Sequence, residues 1–293
     1  MPLYHTPSTS PNPAVFHTDL ACESTASPVE TREERVEIGA HPVLLTRRRE
    51  ADGSRSVTLS IGPITERGAG DLPALAHLLA AELTAMAEGL LGRALTPDCR
   101  ILVAGLGNPA MTPDAIGPGT LRRMTVTRHL KAYDGELFAA LGCCELAALS
   151  PGVLGQTGIE TVELVRGAAE NAAPDVIIAI DALAARSVTR LASTVQLSDA
   201  GINPGSGIGN NRRAICRDTV GVPVVALGVP TVVDSSTLVY DALERAGVDK
   251  VSRQLSEVLE QGKGFFVSPK ESDVIVKKVS ALLARAIGRA FSL

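Results

Sequence analysis

The sequence predicts an α/β fold: a doubly wound, mostly parallel sheet with helices on both faces, a β-hairpin extension and a C-terminal helix. Three observations carry this. Short, wholly apolar runs recur at Ile101–Gly105, Val176–Ile180 and Val222–Leu227, the signature of strands buried on both faces. Stretches of helical character lie between or after them, around 118–131, 160–172 and 235–246. Hydrophobic residues make up 45% of 293 residues but aromatics only 3%, with no Trp, so the core must be built from aliphatic side chains.

The elements follow in chain order. Residues 1 to about 18 are polar and hold Pro2, Pro7, Pro11 and Pro13, which predicts an unstructured tail. Val43-Leu44-Leu45 and Val57–Ile61 flank a charged stretch containing Asp52-Gly53, a hairpin over about 40–62. Leu72, Leu75, Leu79, Leu83, Met86 and Leu90 fall at helical spacing over Asp71–Leu91. At the C-terminus Ser268, Pro269 and Glu271 form a helix-start signature. Ile275, Val279, Leu282, Leu283, Ala286 and Ala290 then share one face. Residues 20–293 read as one domain.

Charge and composition narrow the function. Lys and Arg number 28 against 32 Asp and Glu, a net charge of −4, which disfavours a phosphate-tracking surface and hence direct nucleic-acid binding. Five cysteines without a CxxC argue against disulfide scaffolds and structural zinc, and fit a reducing cytoplasm. The vicinal pair Cys143-Cys144 reads as buried packing. No signal peptide is evident, and the nearly apolar run Val220–Val233 is broken by prolines and too short for a bilayer. HExxH, GxSxG and Walker motifs are absent from the sequence. Gly105-Leu106-Gly107 lacks the third glycine of a dinucleotide fingerprint, since position 110 is Ala110.

In open α/β sheets chemistry gathers beyond the carboxyl ends of the strands. There the sequence places Asp114, in the loop after the first apolar strand, and Asp181, at the end of the second. Each Asp suits a helix N-cap. Alternatively they pair: two carboxylates in a water-poor site cannot both ionise, so one serves as acid and the other as base. The loop Gly201–Asn211 contributes Gly205, Ser206 and Gly207 as candidate backbone donors to substrate. Arg186, Arg212 and Arg213 flank the same loops and could hold a substrate acid.

Four blocks resemble the germination protease family, the spore endopeptidases that degrade small acid-soluble spore proteins. They are Gly105–Asn108 with Thr112–Pro118; Ile180–Ala184; Asn203–Asn210; and Gly228–Asp234. The family is regarded as an unusual aspartic type whose two essential aspartates match Asp114 and Asp181. The resemblance implies small acid-soluble spore proteins as substrates and a homotetramer in the spore core; no cofactor, metal or membrane is expected, since neither the Asp181 segment nor the glycine-rich loop offers a histidine ligand and no run is long enough for a bilayer. It also implies a fold related to hydrogenase-maturation endopeptidases, which use a third, histidine ligand to probe a metal. Family members are made as zymogens. A cut after an acid and before a hydrophobic residue and Ala fits Asp19-Leu20-Ala21, making residues 1–19 a propeptide, although Phe16 departs from the acid often found there. The alternatives are a metal-dependent maturation-type endopeptidase and a non-catalytic module that captures spore proteins.

Overall fold

The computed structural model describes residues 18–24, 27–205, 212–248, 251–261 and 265–291. Nearly all of the proposed tail, together with Ser206 and Gly207, lies outside them.

The elements are β1 (Glu30–Val36), β2 (Val43–Arg49), β3 (Arg55–Ser60), α1 (Asp71–Leu91), β4 (Arg100–Gly105), α2 (Ile116–Leu121), α3 (Arg128–Tyr133), α4 (Gly135–Leu141), β5 (Glu145–Leu149), α5 (Leu154–Thr157), α6 (Thr161–Ala172), β6 (Val176–Ala184), β7 (Thr194–Ser198), α7 (Arg217–Val220), β8 (Val224–Asp234), α8 (Ser235–Arg245), α9 (Arg253–Gln261), β9 (Phe266–Val267) and α10 (Ser272–Ala290). Among the described residues the nine strands form one sheet in the order β1-β2-β3-β7-β8-β6-β4-β5, with β9 pairing β8.

The α/β class is as expected, but the sheet is not mostly parallel. Only β5-β4-β6-β8 run parallel. The β1-β2-β3-β7 wing is antiparallel and joins β8 antiparallel through β7. The predicted hairpin exists as β2 and β3, yet it is sheet rather than extension. It was read in isolation because the strand that ties it in, β7, carries Thr194, Gln196 and Ser198 on alternate positions and so shows no apolar run.

Alternation sets the two faces. Leu45, Val57, Leu59, Ile101, Val103, Ile178, Ile180, Val195, Leu197, Val225 and Leu227 point to one side, where α1 and α10 cover them in the main core. On the other side Leu102, Ala104, Ile177 and Ala179 meet Val162, Val165 and Ala169 of α6. Helices therefore cover both faces of the parallel part. Over the wing the second face bears Thr46, Arg48, Ser56, Thr58, Thr194 and Gln196, and residues 18–23 lie against part of it.

The helix α1 is long and apolar enough to cross a membrane on length and composition alone. Its Leu75, Leu79, Leu83 and Met86 are instead buried against the sheet. The last helix begins at Ser272, not near Pro269, and Ser272 Oγ donates to the Pro269 carbonyl in place of the predicted capping box. Its predicted apolar face is buried as expected. The helical stretch expected around 118–131 consists of two short helices, α2 and α3, with residues 122–127 between them.

Candidate active site

Strand order reverses at β4. The chain leaves it to reach β5 on one side and returns to β6 on the other, so the ends of β4 and β6 open the crevice where such sheets bind ligands. Gly105 of β4 stands opposite Ile180 of β6. The loop after β4 and the residue after Ile180 are therefore neighbours, and these carry Asp114 and Asp181.

Neither aspartate is a helix cap. Asp114 sits in a one-turn 3-10 segment, Thr112–Asp114, and its Oδ2 accepts the Asn108 N–H at 2.8 Å across the loop. No side chain caps the start of α2. Asp181 lies inside β6, which continues three residues beyond it to Ala184, and its Oδ1 accepts the Ala182 N–H at 2.9 Å. The strand outruns its apolar stretch because β8 also runs on to Asp234, past the segment read as a loop from Gly228. Asp234 is the true cap, its carboxylate accepting from Ser236 and Thr237 at the start of α8.

The loop geometry requires glycine at one point. Gly107 has φ +104°, and a Cβ there would lie 2.1 Å from the Asp114 carbonyl oxygen and 2.8 Å from its Oδ1. The glycine thus lets the loop fold tightly onto Asp114. Asn108 Oδ1 then accepts the Ala110 N–H and the Gln156 side-chain amide, both at 3.0 Å, tying the loop to α5.

The two carboxyls differ electrostatically. Asp181 is 5% exposed. Burial first, then the charge of Asp114 and that of Asp19, push it well above the carboxylate range, against the Ala182 N–H. Asp114 is also raised by burial, but the Asn108 N–H and the Arg212 guanidinium pull it back down. The pair therefore shares one proton more readily than it bears two charges, and Asp181 is the better place for that proton.

The remaining candidates scatter. Arg212 lies near Asp114 and is partly buried. Arg213 is exposed. The Arg186 guanidinium pairs with Glu244, while its main-chain N–H donates to Glu23 at 2.6 Å. Gly205 has φ +72° at the edge of the described loop. Among the described residues no group of three or more His, Cys, Asp or Glu is placed to hold a metal. Cys143 and Cys144 are buried, and burial together with neighbouring Cys99, Cys143 and Asp175 pushes the Cys144 thiol up to about 12.

One participant, Gln196, was not anticipated, and it meets the segment expected to hold the cleavage site. Residues 18–23 dock at the end of β6. Asp19 N–H donates to the Ala184 carbonyl at 2.9 Å, and Ala184 N–H donates to the Asp19 carboxylate at 2.8 Å. Leu20, 1% exposed, packs with Leu183, Ala185 and Val233. Glu23 accepts from the Arg186 and Ser187 N–H groups and from the Thr18 hydroxyl. The Gln196 side chain contacts both Asp19 and Ala21. Gln196 is buried, and its only signal in the sequence is the polar alternation of Thr194, Gln196 and Ser198.

Residues 45–247 match the germination protease family. The chain is 37% identical over 287 residues to the germination protease of Caldanaerobacter subterraneus subsp. tengcongensis, covering 89% of this chain and 86% of that protein. It is 38% identical over 254 residues to that of Clostridium acetobutylicum, covering 79% and 76%. It is 44% identical over 190 residues to that of Bacillus subtilis, covering 65% and 50%.

Proposed function

The chain belongs to the germination protease family, and on that premise we propose that it is the endopeptidase that begins degradation of small acid-soluble spore proteins when spores germinate. The observation that carries the chemistry is the burial of Asp181 beside Asp114, with both carboxyls raised and the deeper one raised most.

The reaction follows from that asymmetry. Asp114, held by the Asn108 N–H and near Arg212, is the carboxylate that takes a proton from the attacking water. Asp181, whose burial favours the protonated form, is the acid that gives its proton to the departing amine. The water adds to the scissile carbonyl and the C–N bond breaks as the amine is protonated. Both aspartates end with exchanged protonation, and a proton passes between them or through water to reset the pair.

The docking of residues 18–23 supports a self-processing zymogen. The Asp19–Leu20 bond fits the acid-then-hydrophobic pattern that the family resemblance implies, and Asp19 lies close enough for its charge to act on Asp181. Residues 1–19 would then be the propeptide. The family resemblance further implies a homotetramer working in the spore core.

The test is cleavage of a purified small acid-soluble spore protein, followed by mass spectrometry. We expect fragments from the wild-type chain and a new terminus at Leu20. Asp114→Asn and Asp181→Asn should each lose cleavage and keep their circular dichroism. Retained turnover in either variant removes that residue from the mechanism, and no cleavage by full-length or Leu20-start protein overturns the function.

A further inference from the structure

The second face of the antiparallel wing is unusual for a sheet this size. Across β1, β2, β3, β7, β8 and β6 one register row reads Glu33, Thr46, Thr58, Gln196, Gly228 and Asp181. Asp181 therefore shares a row with Gln196, two inter-strand spacings or about 10 Å away. On this same face Ser56 and Thr194 have buried hydroxyls without a hydrogen-bond partner. Such groups are rare because each costs free energy, and each calls for a cause such as strain, a bound water or ion, or a functional role.

What touches this row now is the chain itself. Gln196 Oε1 accepts the Ala21 N–H at 2.6 Å, and its Nε2 donates to the Asp19 carbonyl at 3.0 Å. The orientation of the amide is fixed by its partners, since a main-chain N–H can only donate and a carbonyl can only accept. Arg48 Nη1 donates to the Ala21 carbonyl at 2.7 Å. These bonds read main chain at residues i and i+2 and ignore side chains. Only Leu20, which points into the pocket of Leu183, Ala185 and Val233, is read by shape. Ala21 opens a one-turn 3-10 segment, Ala21–Glu23, so a peptide that turns at this point and carries an apolar residue at the position of Leu20 satisfies the same set.

We propose that Gln196 is a substrate-positioning residue, whose carboxamide clamps the main chain of the protein substrate on either side of an apolar residue seated beside Asp181, with Arg48 completing the clamp. The segment Thr18–Glu23 shows the register. This rests on reading Asp114 and Asp181 as the peptidase centre. It explains how the trough is vacated. Cutting Asp19–Leu20 releases the two Ala184 contacts and creates a charged α-amine on a residue whose side chain is buried, and an unpaired charge is costly there. The new terminus leaves, and a substrate segment takes its bonds.

The test uses a synthetic peptide of residues 14–27 and its depsipeptide, in which an ester oxygen replaces the Ala21 N–H. Gln196→Met keeps side-chain bulk and removes the amide. Wild-type full-length chain should favour the amide over the ester about tenfold in kcat/KM, carried in KM, the worth of one ordinary hydrogen bond. Gln196→Met should treat the two alike within about twofold, whereas a merely structural Gln196 would lower both rates and leave the ratio intact. A wild-type ratio in Gln196→Met overturns the clamp. Binding of the same two peptides to the Leu20-start form of Asp114→Asn, whose own Asp19 no longer holds the Ala184 contacts, followed by fluorescence anisotropy, separates the clamp from the chemistry. If nothing is cleaved, the peptidase reading fails, while the binding ratio still decides Gln196. If neither peptide binds, the clamp falls as well.

Discussion

Replacing Gly107 by Ala should disable the site while leaving the sheet intact. The added Cβ would lie 2.1 Å from the Asp114 carbonyl oxygen, a backbone atom that cannot swing aside as a side chain can. Opening that contact to 3.0 Å, the closest that Cβ atoms approach, moves the Asp114 turn by about 0.9 Å. A misplacement of about 1 Å costs about a hundredfold in rate. A φ of +104° also strains any L-residue with a side chain, at about 3 kcal/mol, which for a chain of this length lowers Tm by about 5 °C. Gly53→Ala is the control. Its φ is +87°, but its Cβ would meet nothing within 4 Å, and it lies in the turn between β2 and β3, on the antiparallel wing. Both variants should therefore melt lower than wild type by circular dichroism. Only Gly107→Ala should lose about a hundredfold in kcat/KM on a peptide of residues 14–27. If Gly107→Ala cleaves as well as Gly53→Ala, the loop does not hold Asp114 in the way argued.

Asp181→Asn should raise stability with a definite pH dependence. Burial lifts the folded pKa of Asp181 above its unfolded value of about 3.9, so its contribution is fully present below that value and is lost as pH rises through the folded pKa. Chemical denaturation should find Asp181→Asn no more stable than wild type near pH 3.5 and increasingly more stable toward pH 8; a constant difference would mean Asp181 does not titrate abnormally. Alkylation by iodoacetamide at pH 8 should label Cys216, which is partly exposed, well before Cys144, whose buried thiol is pushed up to about 12. Equal rates by mass spectrometry would contradict that burial.

Much of the fold was legible in the residues because burial on both faces of a parallel strand writes itself as an unbroken apolar run. Ile101–Gly105 and Val176–Ile180 are strands for that reason, and the i, i+3, i+4 spacing located α1 to its ends. The aspartates were legible too, since each follows such a run. The antiparallel wing was only half legible. A strand with one polar face, like β7, looks like a loop until its partners are known, and its pairing to β3 lies more than a hundred residues away. The end of β6 was misjudged for a related reason: beyond Ile180 the strand's continuation depends on β8 extending beside it, not on its own hydrophobicity.

By itself, then, the sequence determined an aliphatic α/β protein with one acid in the loop after its first apolar run, another directly after the second, and a pattern of blocks resembling one family. Local periodicity and composition suffice for that, because they record which faces meet apolar surroundings. Only the tertiary structure decided that Asp181 is the more deeply buried acid, that Asp114 faces Arg212 and the Asn108 amide, and that Gln196 shares a register row with Asp181. Those are relations between segments distant in the chain, fixed by strand order and register, and electrostatics depends on what surrounds a group from every side rather than on its neighbours in sequence.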